Sequence, residues 1–223
     1  MQVISFIKNY LGVLYRWVTG KPKSRFPGTG EYWERRYTKG GDSGFGSYGK
    51  LAFFKAKTIN EFLIEHKIKS VIEFGCGDGN QIKLIDYPSY LGFDISETSI
   101  RSCQQQFRHD TSKSFKNLKE YQNERSDLSL SLDVIYHLVE DSMFEDHLRM
   151  LFDSSLRYVI IYSSNTDNNA GFEGTHIRQR CFTNWIEKNI SGWKLINHIP
   201  NQYPYKGKYR LGSMADFYIY QRN

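Results

Sequence analysis

The chain has 223 residues, of which 39% are hydrophobic and 24% charged. This length accommodates one α/β domain with a lid, but not two domains of ordinary size. The formal net charge of +6 is carried by residues 1–40, with eight Lys or Arg and two Glu, because residues 41–223 hold 22 basic and 22 acidic side chains. Since the body of the chain is balanced and lacks a basic stripe with interleaved aromatic residues, no nucleic-acid partner is expected.

Residues 1–20 carry their apolar and polar side chains on opposite sides at helical spacing, which predicts an amphipathic N-terminal helix ending at Gly20 and Pro22. Lys8 and Arg16 make the segment too polar to span a bilayer. Its apolar side has two interpretations: packing on this domain or a partner subunit, and peripheral contact with a membrane surface.

The three cysteines, Cys76, Cys103 and Cys181, show neither disulfide-framework nor metal-ligand spacing. No metal site is therefore predicted. A reducing, cytoplasmic location is expected, with the inner membrane surface as the alternative that the N-terminal helix allows.

Residues 21–50 are rich in Gly, Pro and basic side chains, which is typical of an irregular segment and predicts a lid. Residues 51–223 form the predicted main domain. It opens with a helix over 51–66. Strands are then predicted near 70–75, 90–94, 114–118, 128–133 and 157–163, and helices near 79–86, 97–108, 143–153 and 182–190.

The last two predicted strands, 193–199 and 214–220, have no helix between them. The pattern therefore predicts an α/β fold with a Rossmann-like, seven-stranded, mostly parallel sheet, a C-terminal antiparallel hairpin, and helices on both faces.

The run VIEFGCGDGN (71–80) is an apolar strand followed by Gly75, Gly77 and Gly79 where a helix is expected to start. Glycines there let the backbone approach a nucleotide-like ligand, and a helix start offers free N–H groups. Asn80 stands where a dinucleotide-binding GxGxxG would have its third glycine. Asp94 ends the next strand, where such folds place an acid on the ribose hydroxyls; capping of the following helix is the alternative. Ile95 is placed to cover an adenine ring.

Together these residues resemble the first two motifs of class I S-adenosylmethionine (SAM)-dependent methyltransferases, and residues 128–141 (LSLSLDVIYHLVED) resemble the fourth-strand motif of that family. Four further segments are similar to a bacterial subgroup that modifies small molecules or surface glycans: YWERRY (32–37), GGDSGFGSYG (40–49), RYVIIYSSN (157–165) and THIRQRCFTNW (175–185). The resemblance covers residues 31–220. It implies SAM as cofactor, S-adenosylhomocysteine as product, and Asp133, Tyr136 and His137 beside the sulfonium.

The lid, the first two motifs and the fourth-strand motif supply the expected cofactor-binding residues, which are Tyr32, Arg36, Ser43, Gly44, Glu73, Gly75, Cys76, Gly77, Gly79, Asn80, Asp94, Ile95 and Asp133. Residues 116–121 offer no clear counterpart for the acid or amide that often holds the adenine amino group. Tyr48, His176, Arg178 and Arg180 are the expected substrate-binding residues. The last three form an alternating HxRxR that suits an anionic group if the segment is extended, and a salt-bridged rim is the alternative.

His137 follows a strand, and its ordinary pKa near 6.5 suits removal of a proton from a hydroxyl, with Tyr136 beside it. The alternative is a structural histidine.

The expected function is O-methylation of a small anionic or sugar-like acceptor with His137 as general base. The alternatives are N-methylation by positioning alone and a non-catalytic binding protein; a dinucleotide-dependent oxidoreductase is disfavoured by Asn80 and by the final hairpin.

Overall fold

A computed structural model describes residues 26–223. Seven strands form one sheet in the order β3-β2-β1-β4-β5-β7-β6. Strands β1 to β5 are parallel, and β7 pairs antiparallel with both β5 and β6. The strands are β1 (Val71–Phe74), β2 (Tyr90–Asp94), β3 (Lys113–Asn117), β4 (Ser126–Leu132), β5 (Ser155–Ser163), β6 (Trp193–Ile199) and β7 (Asp216–Arg222). The predicted mostly parallel sheet with a C-terminal antiparallel hairpin is confirmed.

Helices cover both faces of this sheet, as predicted. They are α1 (Thr29–Thr38), α2 (Gly49–Glu65), α3 (Glu97–Gln106), α4 (Asp141–Asp153) and α5 (Phe182–Asn189). Because successive strand residues point to opposite faces, Leu128 and Leu130 pack in one buried cluster with α2 and α3. Val159 and Ile161 pack in a second cluster with α4 and α5.

The helix predicted near 79–86 is wrong: only a 3-10 turn, Ile82–Leu84, lies there. After the glycine loop, residues 80–89 are all that remain before β2. A helical crossover between parallel strands usually needs a dozen residues or more, and Pro88 cannot supply a helical N–H. The expected helix start does not follow the glycine loop, and the N–H groups of the loop are themselves bonded, those of Gly75, Gly77 and Asp78 to Phe93, Asp94 and Ser43.

The irregular segment predicted over 21–50 is also wrong in part, because Thr29–Thr38 is helical. An i,i+4 ion pair between Glu31 and Arg35 supports α1 locally. Side-chain bonds hold its first residue and its middle. The hydroxyl of Thr29 donates to Glu140 after β4 (2.6 Å), and Glu34 accepts from the hydroxyl of Ser96 after β2 (2.6 Å). Helix α1 therefore crosses the carboxyl edge of the sheet.

The predicted amphipathic helix over 1–20 lies outside the described residues. Within residues 26–223, none of the helices has the length and apolar character needed to cross a bilayer.

Candidate active site

Two neighbouring cavities open at the carboxyl edge of the sheet, beneath α1 and the segment that follows it. Including the solvent at their mouths, they measure about 820 and 1960 Å³. The first lies over the glycine loop and the ends of β1, β2 and β4. The second lies between residues 42–51 and the segments 164–179 and 209–215. Trp33, Ser43, Asp133 and His137 line both cavities and form the wall that they share.

The glycine loop forms the floor of the first cavity. Gly75 and Gly77 have φ angles of 91° and 59°, in the left-handed region that favours glycine. A side chain at Gly75 would collide with Val134, and one at Gly77 would collide with Ser43. Gly79 lies deeper, where an added Cβ would lie 2.7 Å from the side-chain nitrogen of Gln106. Gly79 therefore serves packing against α3 rather than the cavity surface.

Glu73 stands at the back of this cavity. It is buried and accepts a hydrogen bond from the hydroxyl of Tyr90 (2.6 Å). Burial raises the pKa of its carboxyl to about 7. Cys76 and Ile95 also line the first cavity, as does Leu118 from the turn after β3.

Asp94 ties the glycine loop to the start of α3. One oxygen of its carboxylate accepts from the backbone N–H of Gly77 and the other from that of Ser96, each at 2.9 Å. Burial raises the pKa of Asp94 to about 6, and these two bonds oppose the rise. Each oxygen keeps a lone pair, and the carboxylate lines the first cavity, so it can still accept bonds from a ligand's hydroxyl groups.

We expect Asp94→Ala to weaken SAM binding by about 1.5–3 kcal/mol, because a charge-assisted hydrogen bond is lost. Affinity in the unsubstituted chain should also fall as the pH drops through about 6, where the carboxylate becomes protonated. Calorimetric titration at several pH values measures both effects. Unchanged affinity in Asp94→Ala would remove this residue from the site.

Asp133 stands on the shared wall in an ion pair that the sequence did not predict. One oxygen accepts from the ammonium of Lys55 (2.6 Å) and the other from the hydroxyl of Tyr136 (2.8 Å). The Lys55 side chain is only 1% exposed, and its Nζ lies 5.3 Å from the ring centre of Tyr162. Asp133 itself has a φ of 61°, unusual for a non-glycine residue. The surrounding contacts fix the carboxylate in place.

His137 lies beside Asp133 with its ring orientation fixed. Its Nδ1 is 3.1 Å from the backbone carbonyl oxygen of His176, and its ring stacks on that of His176 at 5.1 Å. A carbonyl oxygen can only accept, so Nδ1 carries the proton and Nε2 is the free acceptor. Burial lowers the pKa of His137 to about 4. The imidazole is therefore neutral near pH 7.

The segment after α1 is bonded to the glycine loop through Asp78. This carboxylate accepts from the backbone N–H of Ser43 (2.8 Å) and from the hydroxyl of Tyr48 (2.7 Å). Asn80 donates to the backbone oxygen of Ser47 (2.7 Å). Asn80 therefore holds the lid rather than facing either cavity.

The prediction that the side chains of His176, Arg178 and Arg180 face the same anionic group is wrong. His176 lines the second cavity, whereas neither arginine lines either of these two cavities. Both arginines donate to the backbone oxygen of Val139 (2.9 Å each) and pair with Asp141. These bonds hold the side chains of Arg178 and Arg180 at the start of α4. The two arginines therefore do not project into the second cavity. This corresponds to the salt-bridged alternative.

Three lid residues expected at the cofactor also lie elsewhere. Arg36 and Gly44 line only the second cavity, where Arg36 pairs with Asp42 at 3.1 Å. Tyr32 stacks on the ring of His176 at 4.4 Å. Tyr48 and Tyr136 line the second cavity and not the first.

The first cavity suits a nucleoside-bearing ligand with a polar tail. Gly75 and Gly77 bring the bare backbone to its surface, and Asp94 offers acceptor oxygens. Gln81 adds a buried side-chain oxygen that has no hydrogen-bond partner among residues 26–223 and lines the same cavity. Such an oxygen can accept from an ammonium or hydroxyl group. Lys55, Gln81, Trp33 and Leu118 are site residues that sequence reasoning missed, because no local motif marks them.

Residues 72–152 match a protein family described as "Methyltransferase domain". No curated protein sequence matches the chain. The fold is similar to that of N-methyltransferase NodS from Bradyrhizobium japonicum WM9, solved with S-adenosylhomocysteine. The TM-score is 0.65 at 12% identity, over 87% of this chain and 98% of that one.

Two further solved structures share this fold. Magnesium protoporphyrin IX methyltransferase (ChlM) from Synechocystis PCC 6803 has a TM-score of 0.62 at 15% identity, over 86% of this chain and 97% of that one. The methyltransferase domain of bacterial CtHen1-C has a TM-score of 0.60 at 17% identity, over 78% and 99%. These likenesses show that the chain has the fold of these methyltransferases, and the family match supports the expected enzyme class by placing a methyltransferase domain over residues 72–152.

Proposed function

We propose that the chain binds SAM in the first cavity and methylates an oxygen of a small anionic or sugar-like acceptor in the second. The observation that carries this proposal is the wall shared by the two cavities, which Asp133 and His137 line from both sides. When bound, SAM supplies a methyl group already activated on a sulfonium. The residues of the chain then have to align the acceptor and remove its proton.

His137 is suited to take that proton. Its Nδ1 proton is held by the His176 carbonyl, which leaves Nε2 as the acceptor. The ring is packed edge-on against Trp33 (4.9 Å) and lies 4.5 Å from the ring of Tyr136, so its position is well defined. The pKa lowered by burial keeps nearly all of the imidazole in its base form at neutral pH, although a weaker base also accepts protons less strongly.

We expect His137→Ala to lower the methylation rate by roughly a hundredfold while leaving SAM affinity unchanged. Protonation of His137 removes the base, so the rate should rise with pH through about 4 and be level at neutral pH. This differs from the rise near pH 6.5 expected from an unperturbed histidine. The assay uses SAM with a tritiated methyl group and a panel of hydroxylated acids and sugar acids.

His198→Ala is the matched control, because His198 is 44% exposed on β6, the edge strand of the sheet, and lines neither cavity. It should leave the rate and the pH profile as they are. A full rate in His137→Ala would overturn the assignment of the base.

N-methylation by positioning alone is the second candidate, and NodS, which shares the fold, is described as an N-methyltransferase. An amine acceptor loses its own proton before attack. Under this alternative the rate should climb with pH through the acceptor's ionisation, and His137→Ala should be nearly silent. Calorimetric titration with SAM and with NADH separates both candidates from an oxidoreductase and from a binding protein that has lost the cofactor.

The acceptor is proposed to be a small molecule or a glycan-type compound rather than a nucleic acid. The support is the balanced charge of residues 41–223 and the placement of the second cavity directly beside His137. The resemblance of residues 157–165 and 175–185 to enzymes of surface-glycan modification supports the sugar-like alternative.

A further inference from the structure

The second cavity is walled by large apolar side chains that remain exposed to solvent. Phe45 lines it from the lid side and is 58% exposed. Tyr209 and Met214 line it from the segment before β7 and are 44% and 36% exposed. The ring of Tyr209 stacks on that of Tyr205 at 4.4 Å, which restrains it. Exposed apolar groups gathered at a concave site indicate a ligand with an apolar part.

The uncompensated charge of this cavity is positive. Its two carboxylates are already paired, Asp42 with Arg36 and Asp133 with Lys55. Lys50 and Arg210 also line the cavity, and neither has an ion-pair partner within the described part of the chain. A ligand that carries an anionic group is therefore favoured there over a cationic one.

We infer that the acceptor is an amphiphilic organic anion, with an aromatic or aliphatic body against Phe45, Tyr209 and Met214 and an acidic group near Lys50 and Arg210. This inference rests on the proposed function and narrows its acceptor class. Lys50 and Arg210 take the place of Arg178 and Arg180 as the expected source of positive charge. The apolar walls separate this acceptor from a highly hydroxylated sugar, which would leave them without apolar contact.

A pair of fluorescent probes tests the two features separately in the full chain. The probes are 1-anilinonaphthalene-8-sulfonate and N-phenyl-1-naphthylamine, which share an apolar body and differ by the sulfonate. With S-adenosylhomocysteine present, we expect the sulfonate to bind at one saturable site, about fivefold or more tightly than the neutral probe.

Substitutions at exposed positions assign this binding to the cavity without threatening the fold. Arg210→Glu should weaken the sulfonate about tenfold and leave the neutral probe unchanged. Met214→Asp and Phe45→Ser should weaken both probes about fivefold or more. The controls are Arg149→Glu on α4 and Ile64→Asp at the far end of α2, both exposed and outside the cavity. They should change neither affinity.

Equal affinity for the two probes, or variants that bind both as the unsubstituted chain does, would overturn the inference. A parallel titration with S-adenosylhomocysteine shows which claim fails. If it binds while the probes behave in that contrary way, only the amphiphilic acceptor is lost. If it does not bind, the proposed function itself fails.

Discussion

Gly77→Val should lower SAM affinity by about a hundredfold or more, equivalent to roughly 2.7 kcal/mol or more. Gly77 has a φ of 59°, and a side chain there would enter the position of the Ser43 hydroxyl. That hydroxyl accepts from the backbone N–H of Asp78 at 2.9 Å, so the collision would also displace the lid from the loop. Calorimetric titration measures the affinity, and circular dichroism confirms that the domain stays folded.

Gly171→Val is the matched control for this prediction. Gly171 also has a positive φ, 86°, but an added side chain there would meet nothing within 4 Å. It imposes similar backbone strain without blocking the first cavity. Normal SAM binding by Gly77→Val would show that the glycine loop does not contact the cofactor.

Lys55→Met should lower the free energy of unfolding by about 3–5 kcal/mol, because it leaves the Asp133 carboxylate buried without its cation. The side chains of Lys55 and Asp133 are 1% and 11% exposed, so water cannot replace the lost partner well. The donated bond from Tyr136 remains and compensates in part. Denaturant unfolding followed by circular dichroism provides the measurement.

Lys57→Met on the same helix is the control. Lys57 is 75% exposed and lies 3.9 Å from Glu61, so its removal should cost less than about 1 kcal/mol. The double variant Lys55→Met with Asp133→Asn should recover part of the lost stability, because no unpaired charge is then buried. If Lys55→Met were as stable as Lys57→Met, the buried ion pair would not be a structural element of the site.

The sheet could be predicted from sequence because its signals are local. Strand β6 has the predicted bounds, 193–199, and β2 also matches at 90–94. Apolar runs bounded by turn residues mark strands regardless of what they pack against. The order of alternating elements then limits the topology, since parallel crossovers have one hand. The glycine loop and Asp94 could be predicted for the same reason, because a tight turn and a strand end are also local features of the sequence.

The features that sequence reasoning missed depend on tertiary contacts. Lys55 lies on the apolar face of α2, where a lysine at helical spacing gives no sign that its partner, Asp133, lies 78 residues away. The arginines of 175–185 gave a plausible anion site, but their direction is set by the Val139 carbonyl and by Asp141. The pKa of His137 depends on its burial beneath Trp33 and His176, which no local pattern encodes.

The burial of His137 also bears on catalysis. A histidine exposed to water would be half protonated near pH 6.5 and would repel a sulfonium when charged. In this site burial keeps the ring neutral, and the Asp133 carboxylate on the shared wall is paired with Lys55. A neutral His137 therefore adds no positive charge next to the proposed sulfonium.

The decisive measurement is a crystal structure of the chain with S-adenosylhomocysteine. We expect the ribose hydroxyls on Asp94, the amino-acid end toward Gln81, and the sulfur at the wall that Asp133 and His137 share. The space above the sulfur should then open into the second cavity. A nucleoside bound in the second cavity, or a sulfur that faces away from His137, would overturn the proposed cofactor site and the role of His137.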